Sequence, residues 1–129
     1  MGHAQQPRRR GEHCGVARRL AFHGEIDLHA WLTGRRIGAI VLAGIQTNMC
    51  VETTARVGGN LGYRVTVALD ATRTFDLTGP DGSTLSADEL TRATATNLHG
   101  GGFAQIATTT QILAELSGLD AHGTENRHP

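Results

Sequence analysis

The stretch from Ile37 to Arg56, IGAIVLAGIQTNMCVETTAR, constrains the fold of this chain more than any other. Ile37 to Ala43 is an almost unbroken apolar run, the pattern of a strand buried on both faces of a parallel sheet. It ends at Gly44 and gives way to a short polar loop, Gln46-Thr47-Asn48. From Met49 the pattern turns helical, with Val51, Thr54, Ala55, Gly58 and Leu61 on one side and Gly62 placed to stop the helix. Cys50 is therefore predicted in the first turn of a helix, just past the carboxyl end of a strand.

That position has chemical consequences. A thiol of pKa about 8.5 is only slightly ionised at neutral pH, and the N–H groups and dipole of a helix start favour its anion. The same N–H groups suit an oxyanion formed when sulfur attacks a carbonyl. The bland alternative is a small buried hydrophobe, a common fate of cysteine; the strand, glycine loop and helix around Cys50 favour a nucleophile.

The rest of the chain supplies a repeating α/β order. Gly24 to Gly34 is predicted as a short helix with Ile26, Leu28, Trp31 and Leu32 on its apolar side, flanked by His23 and His29, read as exposed or core-satisfied rather than pocket-lining. Arg64 to Leu69 alternates as a second strand and ends at Asp70, which is expected to bond backbone N–H groups rather than to orient catalytic ones. Ala71 to Leu85 is a connection with a strong turn signal at Gly79-Pro80-Asp81-Gly82, placed to act as a flap. Ser86 to Glu89 is a capping box opening a helix to about Leu98, with Leu90, Ala93 and Leu98 inward, and His99 to Gly102 stops it. Phe103 to Ala107 is a third strand, and Thr108 to Gln111 is a second capping box leading into a helix to about Leu116, before Gly118. One helix followed by three β-α units implies parallel strands.

Residues 1–20 have few large apolar residues and no structural period, so they are expected to form an irregular tail; 21–118 form the domain and 119–129 a flexible tail. Arg8 to Arg10 is expected to be solvated, and His13 beside Cys14 to be chance proximity. Formal net charge is zero and only five residues are aromatic, which suggests no nucleic-acid surface. No run approaches a membrane span of about 20 apolar residues. Two cysteines make no disulfide framework, so a reducing, cytoplasmic setting is expected.

GIQTNMCVETTAR resembles the nucleophile loop of the isochorismatase-like cysteine hydrolases. AFHGEIDLHAWL, VTVALDATRTFD, LSADELTRATATNL and GGFAQIATTTQIL fall in that family's order and spacing, so the resemblance runs from about Ala21 to Leu116. It implies an α/β, Rossmann-like three-layer fold with a parallel sheet, here truncated to what look like strands 4, 5 and 6 of an order 3-2-1-4-5-6. It also implies amidohydrolase chemistry on an amide or ureide C–N bond, with a small-molecule substrate. Cys50 is the nucleophile, the backbone N–H groups of Gln46 and Cys50 hold the oxyanion, and the Ile45–Gln46 peptide is cis. The family's catalytic aspartate and lysine end strands 1 and 3, which have no counterpart here; Arg18 or Arg19 lies near the lysine's place but is no like-for-like replacement. Activity is therefore expected to be impaired. A cysteine at position 50 favours C–N hydrolysis over the vinyl-ether cleavage of isochorismatase proper. The metal ligands of the nicotinamidase branch belong to the segment without a counterpart, so neither metal nor other cofactor is expected.

Two alternatives remain beside this reading. Cys50 to Arg56 matches the C-x5-R spacing of cysteine phosphatases, although Glu52 would repel phosphate and the segment has no glycine. The other is a non-catalytic fragment, pseudoenzyme or split-enzyme subunit. An edge strand built for the interior invites pairing, so a homo-oligomer or a partner half-domain is expected.

Overall fold

The computed structural model describes the backbone from Asp27 to Glu125 and side chains from Asp27 to Gly118. The expected tail at 1–20 lies outside the described residues, as do Arg8 to Arg10, His13, Cys14, Arg18, Arg19 and His23.

The first helix among the described residues, α1 (Leu28–Gly34), is capped by the Asp27 carboxylate, which accepts a hydrogen bond from Ala30 N–H; Gly24 to Ile26 of the predicted helix lie outside the described residues. Its stop is displaced. Ile37 N–H reaches Leu32 O and Arg36 N–H reaches Thr33 O, so the left-handed closing position falls on Arg36, at φ 56°, rather than on Gly34. Strand β1 (Ala39–Ile45) follows and leads through a wide π-helical turn, Thr47–Val51, into α2 (Glu52–Asn60). Gly62, at φ 94°, closes α2 as predicted, with Tyr63 N–H bonded back to Gly58 O.

Strand β2 (Arg64–Arg73) runs past Asp70, where the sequence placed its end. A short antiparallel hairpin follows, β3 (Leu77–Thr78) with β4 (Thr84–Leu85), turned by the expected Gly79 to Gly82 segment. Helix α3 (Ala87–Gly100) opens on the complete Ser86/Glu89 capping box. Its inward stripe is Leu90, Thr94 and Leu98; Ala93 is exposed, because a period of four carries the buried face to Thr94. Strand β5 (Gln105–Ala107) is two residues shorter than predicted. Helix α4 (Thr109–Glu125) has the reciprocal Thr108/Gln111 cap at its start and continues past Gly118 into the segment expected to be a tail. A lone glycine costs a helix only about 1 kcal/mol and need not end it.

β1, β2 and β5 form a parallel sheet in the order β1-β2-β5. Ile40 and Leu42 of β1 stand beside Val65 and Val67 of β2 and share one core cluster with Leu32, Ala55 and Leu98. On the opposite face Val41 and Thr66 border a cavity of about 260 Å³ with Ile112 and Leu116 of α4. Helices thus flank both faces, the α/β layering that the apolar run implied.

One expectation needs correcting. β1 was predicted to be buried on both faces, yet Val41 is 53% and Ile45 61% exposed. β1 is an edge strand with β2 as its one neighbour among the described residues, and on its Val41 face α4 leaves a cavity instead of packing closely.

α2 packs tightly against the segment entering β5. A Cβ built on Gly59 would stand 2.5 Å from Phe103 O and 3.1 Å from its Cα. Alanine normally stabilises a helix interior by about 1 kcal/mol over glycine. Here it collides with backbone that cannot step aside, so Gly59→Ala is expected to destabilise by roughly 1 to 3 kcal/mol, measured as a lower urea midpoint; a raised midpoint would refute the collision.

Candidate active site

Cys50 is the fourth residue of the Thr47–Val51 turn and is half-buried. The prediction of an α-helical first turn is corrected: the turn is π-helical, and α2 begins two residues later at Glu52. Gln46 O accepts hydrogen bonds from Met49 N–H and from Val51 N–H, and the longer of these is what widens the turn. Val51 and Ala55, 5% and 0% exposed, anchor the helix side of the turn in the core. Cys50 therefore does stand at the carboxyl end of β1 and at the entry to a helix. The peptide bond between Ile45 and Gln46 is cis, at the position the resemblance implies.

The sulfur is not a thiol here. Cys50 is disulfide-bonded, and no cysteine among the described residues is free; the chain's other cysteine, Cys14, lies outside those residues. The expectation of two reduced cysteines is thus corrected for Cys50. Any nucleophilic role belongs to its reduced form, because the thiolate is the attacking species.

Beside Cys50 runs a groove of about 180 Å³, lined by Leu42, Ala43, Gly44, Ile45, Val51 and Thr54. Apart from Cys50 and Thr54 its lining among the described residues is apolar, which suits an uncharged group.

The polar residues around the turn are satisfied by the end of β2 and by Thr74 just after it. Pairing of the two strands is irregular: Leu42 pairs with Val67, but the next pair is Gly44 with Thr72. Ala43 alone thus faces Ala68 to Ala71, and β2 bows outward over those residues before rejoining β1. Rejoining brings Thr72 beneath the turn, where its hydroxyl accepts from Thr47 Oγ1 at 2.8 Å and donates to Leu69 O at 2.8 Å. Thr74 Oγ1 donates to Asn48 Oδ1. Thr47 is fully buried and Thr74 nearly so. These four residues were not singled out from sequence; the one available signal was threonine repeating at 72 and 74 at a strand end opposite a polar loop.

Asp70 sits on the bowed segment. Its Oδ1 accepts from Thr109 N–H at 2.8 Å and from Thr109 Oγ1 at 2.9 Å, which ties the start of α4 to the sheet. The Thr109 backbone bond, followed by the hydroxyl bond, holds its carboxyl below the usual value. It thus bonds backbone N–H, as expected of a loop aspartate, and its Oδ1 is engaged away from Cys50.

Other candidates fall away from the site. His29 Nδ1 lies 2.6 Å from Tyr63 Oη, with the rings edge to face, and so pins α1 to the body. Arg56, the arginine of the C-x5-R spacing, pairs with Glu52 at 3.7 Å and lies over the Phe103 ring. Its segment is a π turn running into an α-helix rather than a phosphate-wrapping loop, which argues against the phosphatase reading. The His99 to Gly102 run stops α3, with Gly102 at φ 70°. Among the described residues no helix is long and apolar enough to cross a membrane.

A three-stranded parallel sheet flanked by helices defines an α/β, Rossmann-like domain, here with a cysteine between a strand end and a helix start. Comparison with known proteins gives the family. A model of the isochorismatase domain matches residues 16–111. The chain is 32% identical over 90 residues to the isochorismatase family protein YrdC of Bacillus subtilis, covering 70% of this chain and 48% of that protein. It is 35% identical over 79 residues to nicotinamidase 3 of Arabidopsis thaliana, covering 61% of this chain and 34% of that one. A solved cysteine hydrolase from Pseudomonas syringae superimposes with a TM-score of 0.67 at 28% identity, over 71% of this chain and 43% of the other. The chain belongs to the isochorismatase family, and it spans about half the length of the curated relatives it matches.

The Asp70 contact has a pH signature. Its folded pKa is lowered, so its stabilisation is in full force above the ordinary value of 3.8 and is lost as pH falls through the lower folded value. Thermal unfolding of Asp70→Asn is expected to fall below that of the parent at pH 6 and to converge with it towards pH 3; a gap that stays constant with pH would contradict the contact.

Proposed function

We propose that this chain carries the nucleophile of a cysteine hydrolase that cleaves an amide or ureide C–N bond. The observation that carries the reading is Cys50, poised between the end of β1 and the entry to α2, on a groove fit for an uncharged group. A nicotinamidase and a cysteine hydrolase among the relatives support the reaction class.

In this reading the reduced Cys50 gives its proton to a base, and the thiolate adds to the substrate carbonyl. The backbone N–H groups of Gln46 and Cys50 receive the negative charge on oxygen. Collapse breaks the C–N bond, the amine leaves with a proton, and water releases the acid from the thioester. The base that takes the first proton and returns it to the amine is an aspartate in the family pattern. Asp70 is a poor candidate, its Oδ1 being held by Thr109. Arg18 or Arg19 would supply positive charge in place of the lysine. Without a proton donor for the leaving group, amide turnover falls by roughly two to four decades, which is the impairment we infer for this chain alone.

A reducing compartment, the cytoplasm, fits a thiol nucleophile, and neither a metal nor another cofactor enters the chemistry. The exposed β1 edge favours a homo-oligomer or a partner half-domain, and it equally supports a non-catalytic fragment or split-enzyme subunit as the second reading. Nucleic acid and membrane are not among the partners we propose.

An activated ester separates the readings, since its leaving group needs no proton. The reduced chain is expected to take up one acetyl group from p-nitrophenyl acetate on the Cys50 peptide, faster than a free thiol peptide does, and Cys50→Ser is expected to take up none there. Acylation no faster than the free peptide would favour the non-catalytic reading.

A further inference from the structure

The two hydroxyl contacts beneath the Cys50 turn have no part in the chemistry above, and they are the best-satisfied polar cluster in its surroundings. Thr47, the first residue of the turn, is completely buried, yet it is a threonine rather than an apolar residue. Its hydroxyl starts a relay: Thr47 Oγ1 donates to Thr72 Oγ1, which donates to Leu69 O. Asn48, the second residue, accepts from Thr74, itself 7% exposed. A buried hydroxyl is costly unless it is hydrogen-bonded, and here the bonds that satisfy these hydroxyls also tie the turn down. One pair joins the turn to the end of β2 beyond the irregularity, and the other joins it to Thr74, the residue just after that strand.

We propose that Thr47, Asn48, Thr72 and Thr74 are positioning residues that hold the π-helical turn open and so aim Cys50. The inference rests on the nucleophile reading given under the proposed function and extends it to a second set of residues. A π turn is wider than the α-helix it joins, and such turns occur in short, specially supported pieces. On its helix side this one is fixed by Val51 and Ala55 in the core. On its strand side the two threonine contacts hold Thr47 and Asn48. Without them the turn is free to tighten towards an α turn, which rotates Cys50 about the helix axis and away from the N–H groups that stabilise its anion. The bowed segment is in turn fastened at Asp70 to the start of α4. Hydrogen bonds thus run from α4 through Asp70, and through Leu69 and Thr72, to the turn.

The test is the pH dependence of Cys50 alkylation by iodoacetamide, read on the Cys50 peptide by mass spectrometry after reduction, alongside thermal unfolding. Thr47→Val keeps shape and removes the hydroxyl. It is expected to slow alkylation at pH 7 by roughly two- to tenfold, the range spanned by one lost hydrogen bond, and to move the profile to higher pH. Thr47→Ser restores both. A purely structural role would lower the unfolding temperature and leave the profile where it was, and that result overturns the proposal. Should Thr47→Val not fold, Thr72→Val breaks the same contact from its half-exposed side and decides by the same criterion. Parent protein that alkylates like an ordinary thiol defeats the nucleophile reading itself, and the inference with it, whereas an activated Cys50 indifferent to both valine variants defeats the inference alone.

Discussion

The irregular pairing of β1 with β2 is the constraint on which the rest of this structure depends. Had the register continued from Leu42 and Val67, Gly44 would pair with Leu69, and Thr72 would stand three residues further along, past the end of β1 at Ile45. Because β2 bows out over Ala68 to Ala71 and returns, three things happen within a few residues. Ala68 stays paired with Ala107 of β5, Asp70 turns to the start of α4, and Thr72 and Thr74 come under the turn. A bulged strand re-aims side chains where a regular one would continue its alternation.

The two faces of the sheet are held unequally, and this bears on what the domain can do. Val65, Val67, Ala55 and Leu98 are at most 2% exposed and form a closed core with α2 and α3. The face towards α4 retains a cavity beside Val41, and the β1 edge leaves Ile45 open. Cys50 lies at the junction of the well-packed and the open parts, so its support is firm on the helix side while its groove is accessible.

The disulfide at Cys50 and the proposed chemistry meet at one atom. In the bonded state the sulfur has no lone thiolate to offer; in the reduced state it sits where a helix start favours the anion.

The order of elements was legible in the sequence because it rests on local chemistry. The Ser86/Glu89 and Thr108/Gln111 boxes, Gly62 and the Gly79 to Gly82 turn each satisfy backbone groups within a few residues, so their positions mark element ends directly. The address of Cys50, between an apolar strand and a helix, was legible for the same reason. What depended on partners distant in sequence was not. The run Ile37 to Ala43 records hydrophobicity but not how many neighbours a strand has, so the exposure of Val41 was hidden. The passage of β2 beyond Asp70 and the pairing of Thr47 with Thr72 and of Asn48 with Thr74 rest on partners 25 or more residues apart. No local pattern encodes those contacts, because each exists only once the sheet has brought the two strand ends side by side.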